Sequence, residues 1–214
     1  EMMHVQTDPS VDVIVYKTSA QVGKTSCLLN GIGYHIHHAP VPMLMIQPDL
    51  GMAEAFSKDK LSPLLRDTPV LAERVAEERS RTSSNTIHHK QFPGGHLTIV
   101  GANSPTALRM RSVKLVWADE IDAYPYSAGE EGDPLKLARK RTMTFFGSKL
   151  ICSSTPTLKG LSRVDDLWEK SDKRHLFVPC PDCGHHQILK WENVTWTKGR
   201  PETAGYACEA CGTV

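Results

Sequence analysis

The stretch "TSAQVGKT", residues 18–25, decides the fold, because it ends like a loop that binds phosphate groups. The usual pattern is G-x-x-x-x-G-K-[ST], and this chain has Thr18 where the first glycine is expected. In such a loop Gly23 lets the backbone approach the phosphates, Lys24 reaches the β and γ phosphates, and the Thr25 hydroxyl can bind Mg²⁺. The letters "GKT" alone occur often by chance. A second motif is therefore needed to support a nucleotide site.

That second motif is an apolar strand that ends in two acids. "KLVWADE", residues 114–120, ends in Asp119 and Glu120. In ATPases with a phosphate loop, an acid at this place holds Mg²⁺ and a second one can polarise the attacking water. The alternative is that Asp119 and Glu120 are only a surface pair at the end of a strand. That alternative would not explain why their strand belongs to the same predicted sheet as the phosphate loop. The two motifs together predict an ATPase with Lys24 and Glu120 as catalytic residues and with Thr25 and Asp119 as magnesium ligands.

A third polar segment and two arginines complete the predicted site. "CSSTPT", residues 152–157, ends another apolar strand, where a hydroxyl could sense the γ-phosphate, although Ser or Thr before Pro is also ordinary turn chemistry. Arg109 and Arg111 in "ALRMRS" are candidates for the arginine that stabilises the transferring phosphoryl group, or are simply solvated. The residues expected to contact ATP are Ser19, Ala20, Gln21, Val22, Gly23, Lys24, Thr25, Ser26, Asp119, Ser153, Ser154 and Thr155.

Apolar, β-branched runs alternate with helical patterns along the first 173 residues. This alternation predicts an α/β domain with a mostly parallel sheet, in which ligands bind beyond the carboxyl ends of the strands. The predicted strands are 11–16, 42–47, 96–103, 112–120 and 149–157. The predicted helices are 24–38, 51–65, 69–79 and 133–146.

The composition changes near residue 173, after which the chain is rich in Cys, His, Trp and Gly. Residues 174–214 contain two C-x-x-C-G motifs, formed by Cys180 with Cys183 and by Cys208 with Cys211. Two such knuckles supply four thiolates, which predicts a closed, structural Zn²⁺ site in a zinc ribbon. A redox role for either pair fits two matched knuckles less well.

Overall composition excludes few classes of function. The net charge is +1, and no apolar run approaches the roughly 20 residues that span a bilayer. The start "EMMHVQTDPS" has no signal-peptide character, and an opening on Glu1 suggests part of a longer protein. Residues 134–174 hold ten Lys and Arg against four Asp and Glu, which fits either a solvated helix face or a surface for a polyanion.

With these motifs in hand, the chain resembles the large terminase subunit of tailed phages of the lambda-like type. The resemblance covers nearly the whole chain and rests on "YKTSAQVGKT", "LMIQPDLGMAEAFSKDKLSPLL", "LVWADEIDAYP", "ICSSTPT" and "CPDCGHHQ…CEACG". Phosphate loops of this family commonly lack the first glycine, which accounts for Thr18. Many carry an arginine within the loop where this chain has Gln21, so a role for Arg109 or Arg111 gains interest.

The resemblance implies a P-loop ATPase of the additional-strand type that drives double-stranded DNA into a preformed procapsid. It implies ATP, Mg²⁺ and Zn²⁺ as cofactors, and a terminase small subunit, a portal and a homo-oligomeric ring as partners in the cytoplasm of a bacterial host. Lys24, Thr25, Asp119 and Glu120 match the family's nucleotide site, and residues 153–155 match the motif that couples hydrolysis to movement. A nuclease domain would follow Val214, so we expect the motor part alone.

Two other readings of the residues stay open. One is a helicase-like DNA translocase with a zinc ribbon, because "DEID" resembles a helicase acidic box, although 214 residues leave no room for a second motor lobe. The other is a zinc-dependent nucleic-acid-binding module with a vestigial phosphate loop, against which the intact Lys24–Thr25 and Asp119–Glu120 pairs argue.

Overall fold

A computed structural model describes residues 3–75 and 85–214. The chain divides into two compact units, residues 1–170 and 171–214. The larger unit is built on a six-stranded sheet. Its strands are β1 (Val13–Lys17), β2 (Met43–Gln47), β3 (His89–Phe92), β4 (Gly95–Gly101), β5 (Leu115–Asp119) and β6 (Lys149–Ser154).

The strand order is β1-β6-β5-β2-β4-β3, and every neighbouring pair is parallel except β3 with β4. Strand β6 therefore lies between β1, which leads into the phosphate loop, and β5, which ends in Asp119. Ser153 pairs with Tyr16 on one side and with Asp119 on the other. This register brings the carboxyl ends of the three strands to the same level at one edge of the sheet.

Helices cover both faces of this sheet. They are α1 (Lys24–His37), α2 (Leu50–Ala55), α3 (Ser62–Asp67), α4 (Pro69–Ala72), α5 (Pro105–Arg109), α6 (Pro134–Arg139) and α7 (Arg163–Glu169). Four of them begin at a polar residue whose side chain accepts a hydrogen bond from a backbone N–H of the first turn, which satisfies a donor that the helix leaves unpaired. These capping residues, in chain order, are Asp49, Ser104, Asp133 and Ser162.

The core has two layers, one on each face of the sheet. Side chains of α1 to α4 pack with alternate residues of the strands, including Trp117 of β5. The intervening strand residues, including Val116, pack with side chains of α5 to α7. Every residue of β2, β5 and β6 is buried, as expected for parallel strands that are covered on both faces.

The predicted α/β architecture is confirmed, and the differences are local. The structure adds β3, which pairs antiparallel at the sheet edge, and the short helices α5 and α7. The predicted helix 51–65 is a continuous helical run whose middle, Phe56–Leu61, is π-helical. The basic helix 133–146 was predicted too long, because α6 ends at Arg139 and a single 3₁₀ turn follows. The predicted helix 69–79 is helical over Pro69–Ala72, and its part beyond residue 75 lies outside the described residues.

The smaller unit is made of short strands. These are β7 (Val178–Pro179), β8 (His186–Gln187), β9 (Val194–Thr197) and β10 (Arg200–Tyr206). Strands β7 and β8 form one antiparallel pair, and β9 and β10 form another. In the described parts of both units, no helix has the length and apolar character needed to cross a membrane.

Candidate nucleotide-binding site

The phosphate loop connects β1 to α1, and its conformation explains why Thr18 can replace glycine. The residues with positive φ in the loop are Gln21 (φ 58°) and Gly23 (φ 87°), whereas Thr18 is not among them. The backbone N–H of Thr18 instead donates to the carbonyl of Ser154 at 3.3 Å, continuing the ladder between β1 and β6. The chain therefore leaves β1 without the turn that would require glycine at position 18. The loop residues Ser19, Ala20, Gln21, Val22 and Ser26 are solvent exposed.

Lys24 is the first residue of α1, and its side chain is only 7% exposed. Its Nζ lies 3.0 Å from Oε1 of Glu120 and donates to Oγ1 of Thr155 at 3.0 Å. These two contacts come from the loops that follow β5 and β6. The lysine therefore joins the ends of two central strands at the entrance of the phosphate loop.

Asp119 is 3% exposed, and both of its carboxylate oxygens accept hydrogen bonds from hydroxyl groups. Thr25 Oγ1 donates to Oδ2 at 3.1 Å, and Ser153 Oγ donates to Oδ1. Neither partner carries a positive charge, although burying a carboxylate is unfavourable without a counter-charge. Three oxygen-bearing side chains thus converge at a place that favours a small cation.

Glu120 follows Asp119 in a left-handed backbone conformation, with φ 53° and ψ 49°. This conformation costs a residue other than glycine on the order of 1–2 kcal/mol, and such residues cluster at functional sites. The turn directs the carboxylate to Lys24 while 35% of the side chain stays exposed. Glu120 can therefore reach both the lysine and solvent.

The structure brings together the hydroxyl residues after β6 as well, but each has a different partner. Ser153 binds Asp119, Thr155 accepts from Lys24, and Ser154 Oγ accepts from the backbone N–H of Asp122 at 3.2 Å. Asp122 was not singled out in the sequence, although it is the third acid of "DEID".

The two candidate arginines lie elsewhere on the domain. Arg109 ends α5 and pairs with Glu131 at 2.7 Å. Arg111 lies near His89 and His96, and its charge contributes, after desolvation by burial, to lowering the pKa of both histidines. Among the contacts of the described residues, none joins either arginine to Lys24 or to the acids of β5.

Fewer basic side chains of segment 134–174 are available at the surface than its composition suggests. Lys149 is buried and donates to the backbone carbonyls of Asp8 and Val11. Arg163 donates to three backbone carbonyls of the loop after Glu120. These charges serve the fold and are not free for a polyanion.

In the smaller unit the four cysteines of the two C-x-x-C-G motifs come together. Their sulfur atoms all lie within 4.8 Å of one another, with 3.9 Å between Cys180 and Cys211 and 3.8 Å between Cys183 and Cys208. None of these four described cysteines forms a disulfide bond. The two knuckles share one geometry, because Gly184 and Gly212 both have φ 73° and each donates to the carbonyl of the first cysteine of its motif at 3.0 Å.

The larger unit has the fold of a P-loop NTPase. Its phosphate loop connects β1 to α1, its acidic strand is β5, and β6 lies between β1 and β5 in the sheet. The family model for the ATPase domain of the phage terminase large subunit gpA matches residues 1–214. The chain belongs to this family of ATPase domains.

Two curated relatives agree with this assignment. The chain is 32% identical over 204 residues to a terminase large subunit of Enterobacteria phage P21, covering 92% of the chain and 32% of that protein. It is 31% identical over 199 residues to a terminase large subunit of Escherichia phage lambda, covering 89% of the chain and 31% of that protein. The chain thus spans about a third of the length of these relatives.

Solved structures show the same fold. The large terminase of bacteriophage HK97 superimposes with a TM-score of 0.59 at 16% identity, over 76% of this chain and 34% of that one. The large terminase ATPase domain of Thermus phage P74-26 gives a TM-score of 0.56 at 16% identity, over 88% of this chain and 76% of that one. The family model and the two curated relatives, rather than these structural neighbours, favour the terminase family over a helicase-like translocase.

Proposed function

We propose that this domain hydrolyses ATP at the site formed by Lys24, Thr25, Asp119 and Glu120. The observation that carries the proposal is the direct contact of the two loop residues with the two acids, at 3.0 Å for Lys24 with Glu120 and 3.1 Å for Thr25 with Asp119. Hydrolysis needs an anchor for phosphate, ligands for a metal and a base near the attacking water. Lys24 supplies the anchor for phosphate, Thr25 and Asp119 supply the metal ligands, and Glu120 supplies the base.

Glu120 acts as the general base in this proposal. Its carboxylate is partly exposed, so a water molecule can reach it, and its backbone turn directs it to the phosphate loop. Lys24 orients the carboxylate by an ion pair and offers the same ammonium group to phosphate oxygens. The residues of the loop bind and orient the phosphates through backbone N–H groups and the start of α1.

Mg²⁺ is the cofactor that fits Thr25 and Asp119. Magnesium prefers oxygen ligands and binds through one or two protein oxygens together with substrate phosphates. Among the described residues, the hydrogen-bond partners of the buried Asp119 carboxylate are hydroxyl groups and none of them is cationic, so a divalent cation would supply the missing charge. When bound, the ion neutralises negative charge on the β and γ phosphates.

A Glu120→Gln variant tests this function. Glutamine keeps the shape of the side chain but cannot accept a proton, so ATP hydrolysis should fall by roughly 10²–10⁴-fold. Nucleotide binding should persist, because Lys24 loses its anionic competitor and stays available to phosphate. Glu54→Gln, which removes an exposed carboxylate paired with Lys58, should hydrolyse ATP normally. Hydrolysis by Glu120→Gln at the wild-type rate would show that another group is the base.

The transferred phosphoryl group also needs positive charge beyond Lys24, and we assign this role to Arg109 or Arg111. Both lie away from the loop, so an arginine of this chain would act on the site of a neighbouring subunit in a homo-oligomeric ring. Mixing an Arg109→Ala or Arg111→Ala chain with a Glu120→Gln chain should restore hydrolysis if the arginine acts between subunits. No restoration by either mixture, with both arginine variants inactive alone, would contradict action between subunits.

At the level of the whole protein, we propose the ATP-driven packaging of double-stranded DNA into a procapsid. The family and the two phage relatives support this function, and they imply a small subunit and a portal as partners in the bacterial host cytoplasm. The test compares ATP turnover with and without linear duplex DNA and portal. Stimulation by both would support a packaging motor, and turnover that neither changes would contradict it.

We also propose that Cys180, Cys183, Cys208 and Cys211 bind one structural Zn²⁺ as a zinc ribbon. In a tetrahedral site with Zn–S distances of about 2.3 Å, sulfur atoms lie about 3.8 Å apart. Two of the observed distances, 3.8 and 3.9 Å, match this spacing. Four thiolates close the coordination shell, so the ion would stabilise the fold of the small unit and leave no position for a substrate.

A further inference from the structure

Asp122 connects the loop after β5 to the loop after β6 and to the start of α7. Its Oδ2 accepts hydrogen bonds from both the backbone N–H and the hydroxyl of Thr157, each at 3.0 Å. Its Oδ1 accepts from the backbone N–H of Val164 at 2.8 Å, and its own N–H donates to Ser154 Oγ at 3.2 Å. One aspartate thus ties together segments that are more than 30 residues apart in sequence.

Arg163 holds the same loop from the other side. Its guanidinium donates to the carbonyls of Ile121, Tyr124 and Pro125, at 3.3, 2.7 and 2.6 Å. Its Nε lies 3.5 Å from Oδ2 of Asp133, and the side chain is 15% exposed. A guanidinium that is only partly exposed and has this many partners restrains the loop, because its fork of N–H groups fixes both position and orientation.

The segment restrained in this way begins next to the strained residue Glu120. Its left-handed conformation persists only where the surrounding structure compensates for the strain. The contacts of Asp122 and Arg163 involve residues 121–125, which directly follow Glu120. They are therefore placed to hold the backbone turn that directs the Glu120 carboxylate to Lys24.

We propose that Asp122 and Arg163 are positioning residues that keep Glu120 in its catalytic orientation and link it to the segment Thr155–Thr157. This inference rests on the proposed role of Glu120 as the base. Thr155 and Glu120 contact the same Lys24 ammonium, from the two loops that Asp122 connects. Displacement of either loop is therefore transmitted to the other through a short chain of hydrogen bonds.

The charge state of Asp122 suits this role. Burial raises the pKa of its carboxyl group, but hydrogen bonds from Val164, Ser162 and Thr157 outweigh that effect, so the pKa lies below its usual value. The carboxylate is therefore ionised at neutral pH, and its two oxygens can serve all of these donors together. An asparagine at this position would keep only one acceptor oxygen. Its NH₂ group would take the place of the other oxygen and could not accept the hydrogen bonds made there.

The competing explanation is that Asp122 only stabilises the start of α7. Asp49 provides the matched control, because it also follows a central strand and accepts from a helix N–H, that of Met52 at 2.8 Å. Asp49 has no hydrogen bond to the loops around Lys24 among those of the described residues. A purely structural role predicts that Asp49→Asn and Asp122→Asn behave alike.

The experiment compares ATP turnover and melting temperature of Asp122→Asn, Arg163→Lys and Asp49→Asn with the wild-type chain. Misplacing a catalytic group by about 1 Å can reduce a rate 100-fold, so kcat of Asp122→Asn should fall on the order of 10- to 100-fold. KM for ATP should stay close to the wild-type value, because no phosphate-loop contact is lost. Asp49→Asn keeps an oxygen that can accept from the Met52 N–H and should leave kcat unchanged. Arg163→Lys, which keeps the charge but not the fork, should show an intermediate loss of kcat.

Amide hydrogen exchange gives a readout that does not depend on turnover. Asp122→Asn should increase exchange in peptides covering residues 120–125 and 157–164, and Asp49→Asn should not. Unchanged exchange in 120–125, or equal kcat values for the two Asn variants, would overturn the positioning role. If Glu120→Gln is inactive while Asp122→Asn is fully active, this inference fails and the proposed function stands. If Glu120→Gln is active, the proposed base is wrong whatever Asp122 does.

Discussion

Helix α1 packs closely against β5 at Gly31, and a methyl group added there should measurably destabilise the domain. A Cβ on Gly31 would lie 2.4 Å from Cη2 and 2.8 Å from Cζ3 of Trp117, and 2.1 Å from Oε1 of Gln6. Trp117 is fully buried, so its ring cannot move away without disturbing the core. Gly31→Ala therefore forces α1 and β5 apart.

Gly33 in the same helix supplies the matched control. A Cβ on Gly33 would meet the terminal methyl carbon Cδ1 of Leu71 at 3.3 Å, a contact that a small side-chain movement relieves. Both substitutions gain about 1 kcal/mol of helix propensity, so this gain cancels when the two variants are compared. The difference between them isolates the cost of overpacking, which is typically about 1–3 kcal/mol.

The assay is thermal unfolding followed by circular dichroism at neutral pH. For a domain of this size 1 kcal/mol corresponds to a shift of about 2–4 °C, so Gly31→Ala should melt roughly 2–12 °C below Gly33→Ala. ATP hydrolysis should fall with it, because α1 begins with Lys24 and Thr25, and β5 ends at Asp119. Equal melting temperatures for the two variants would refute the close approach at Gly31.

Three further outcomes are expected. Ser153→Ala removes a hydrogen bond to the buried Asp119 carboxylate, so half-maximal ATP hydrolysis should need roughly tenfold more Mg²⁺, and an unchanged magnesium titration would contradict this. Burial lowers the pKa of His35, so the unfolded chain binds more protons just below pH 6.5. Stability should therefore fall as the pH decreases through that window, and the melting temperature of His35→Gln should depend less steeply on pH. Equal pH dependence of the melting temperatures of wild type and His35→Gln would contradict this role of His35. Elemental analysis of protein purified without chelator should find one zinc per chain, which Cys208→Ser should lose, and the absence of zinc from the wild-type chain would disprove the ribbon.

The nucleotide motifs could be recognised from sequence because each is local. The loop "TSAQVGKT" and the strand "KLVWADE" carry their chemistry in consecutive residues, and alternation of apolar runs with helical patterns was enough to predict a parallel sheet. The two C-x-x-C-G knuckles are local in the same way, and their four sulfur atoms do come together. Short helices such as α5 and α7 were missed, because five to seven residues show too little periodicity to be distinguished from loops.

Asp122 and Arg163 were missed for a different reason. Each acts through backbone N–H or carbonyl groups that lie about 35 to 42 residues away, and backbone partners leave no trace in residue type. The left-handed turn at Glu120 is equally hidden, because glutamate shows no preference for that conformation. These contacts and this turn depend on which loops lie next to each other, and the order of the strands in the sheet decides that.

The sequence by itself determined the phosphate loop, the acidic strand, the hydroxyl segment and the cysteine knuckles, since each is a short pattern with its own chemistry. Only the tertiary structure decided that β6 lies between β1 and β5, so that Ser153 reaches Asp119 and Thr155 reaches Lys24. It also showed that Thr18 needs no glycine, because its N–H continues the ladder to Ser154 and its φ is not positive. The physical reason is that pairing between distant strands depends on how both faces of the whole sheet are buried, and no short stretch contains that information.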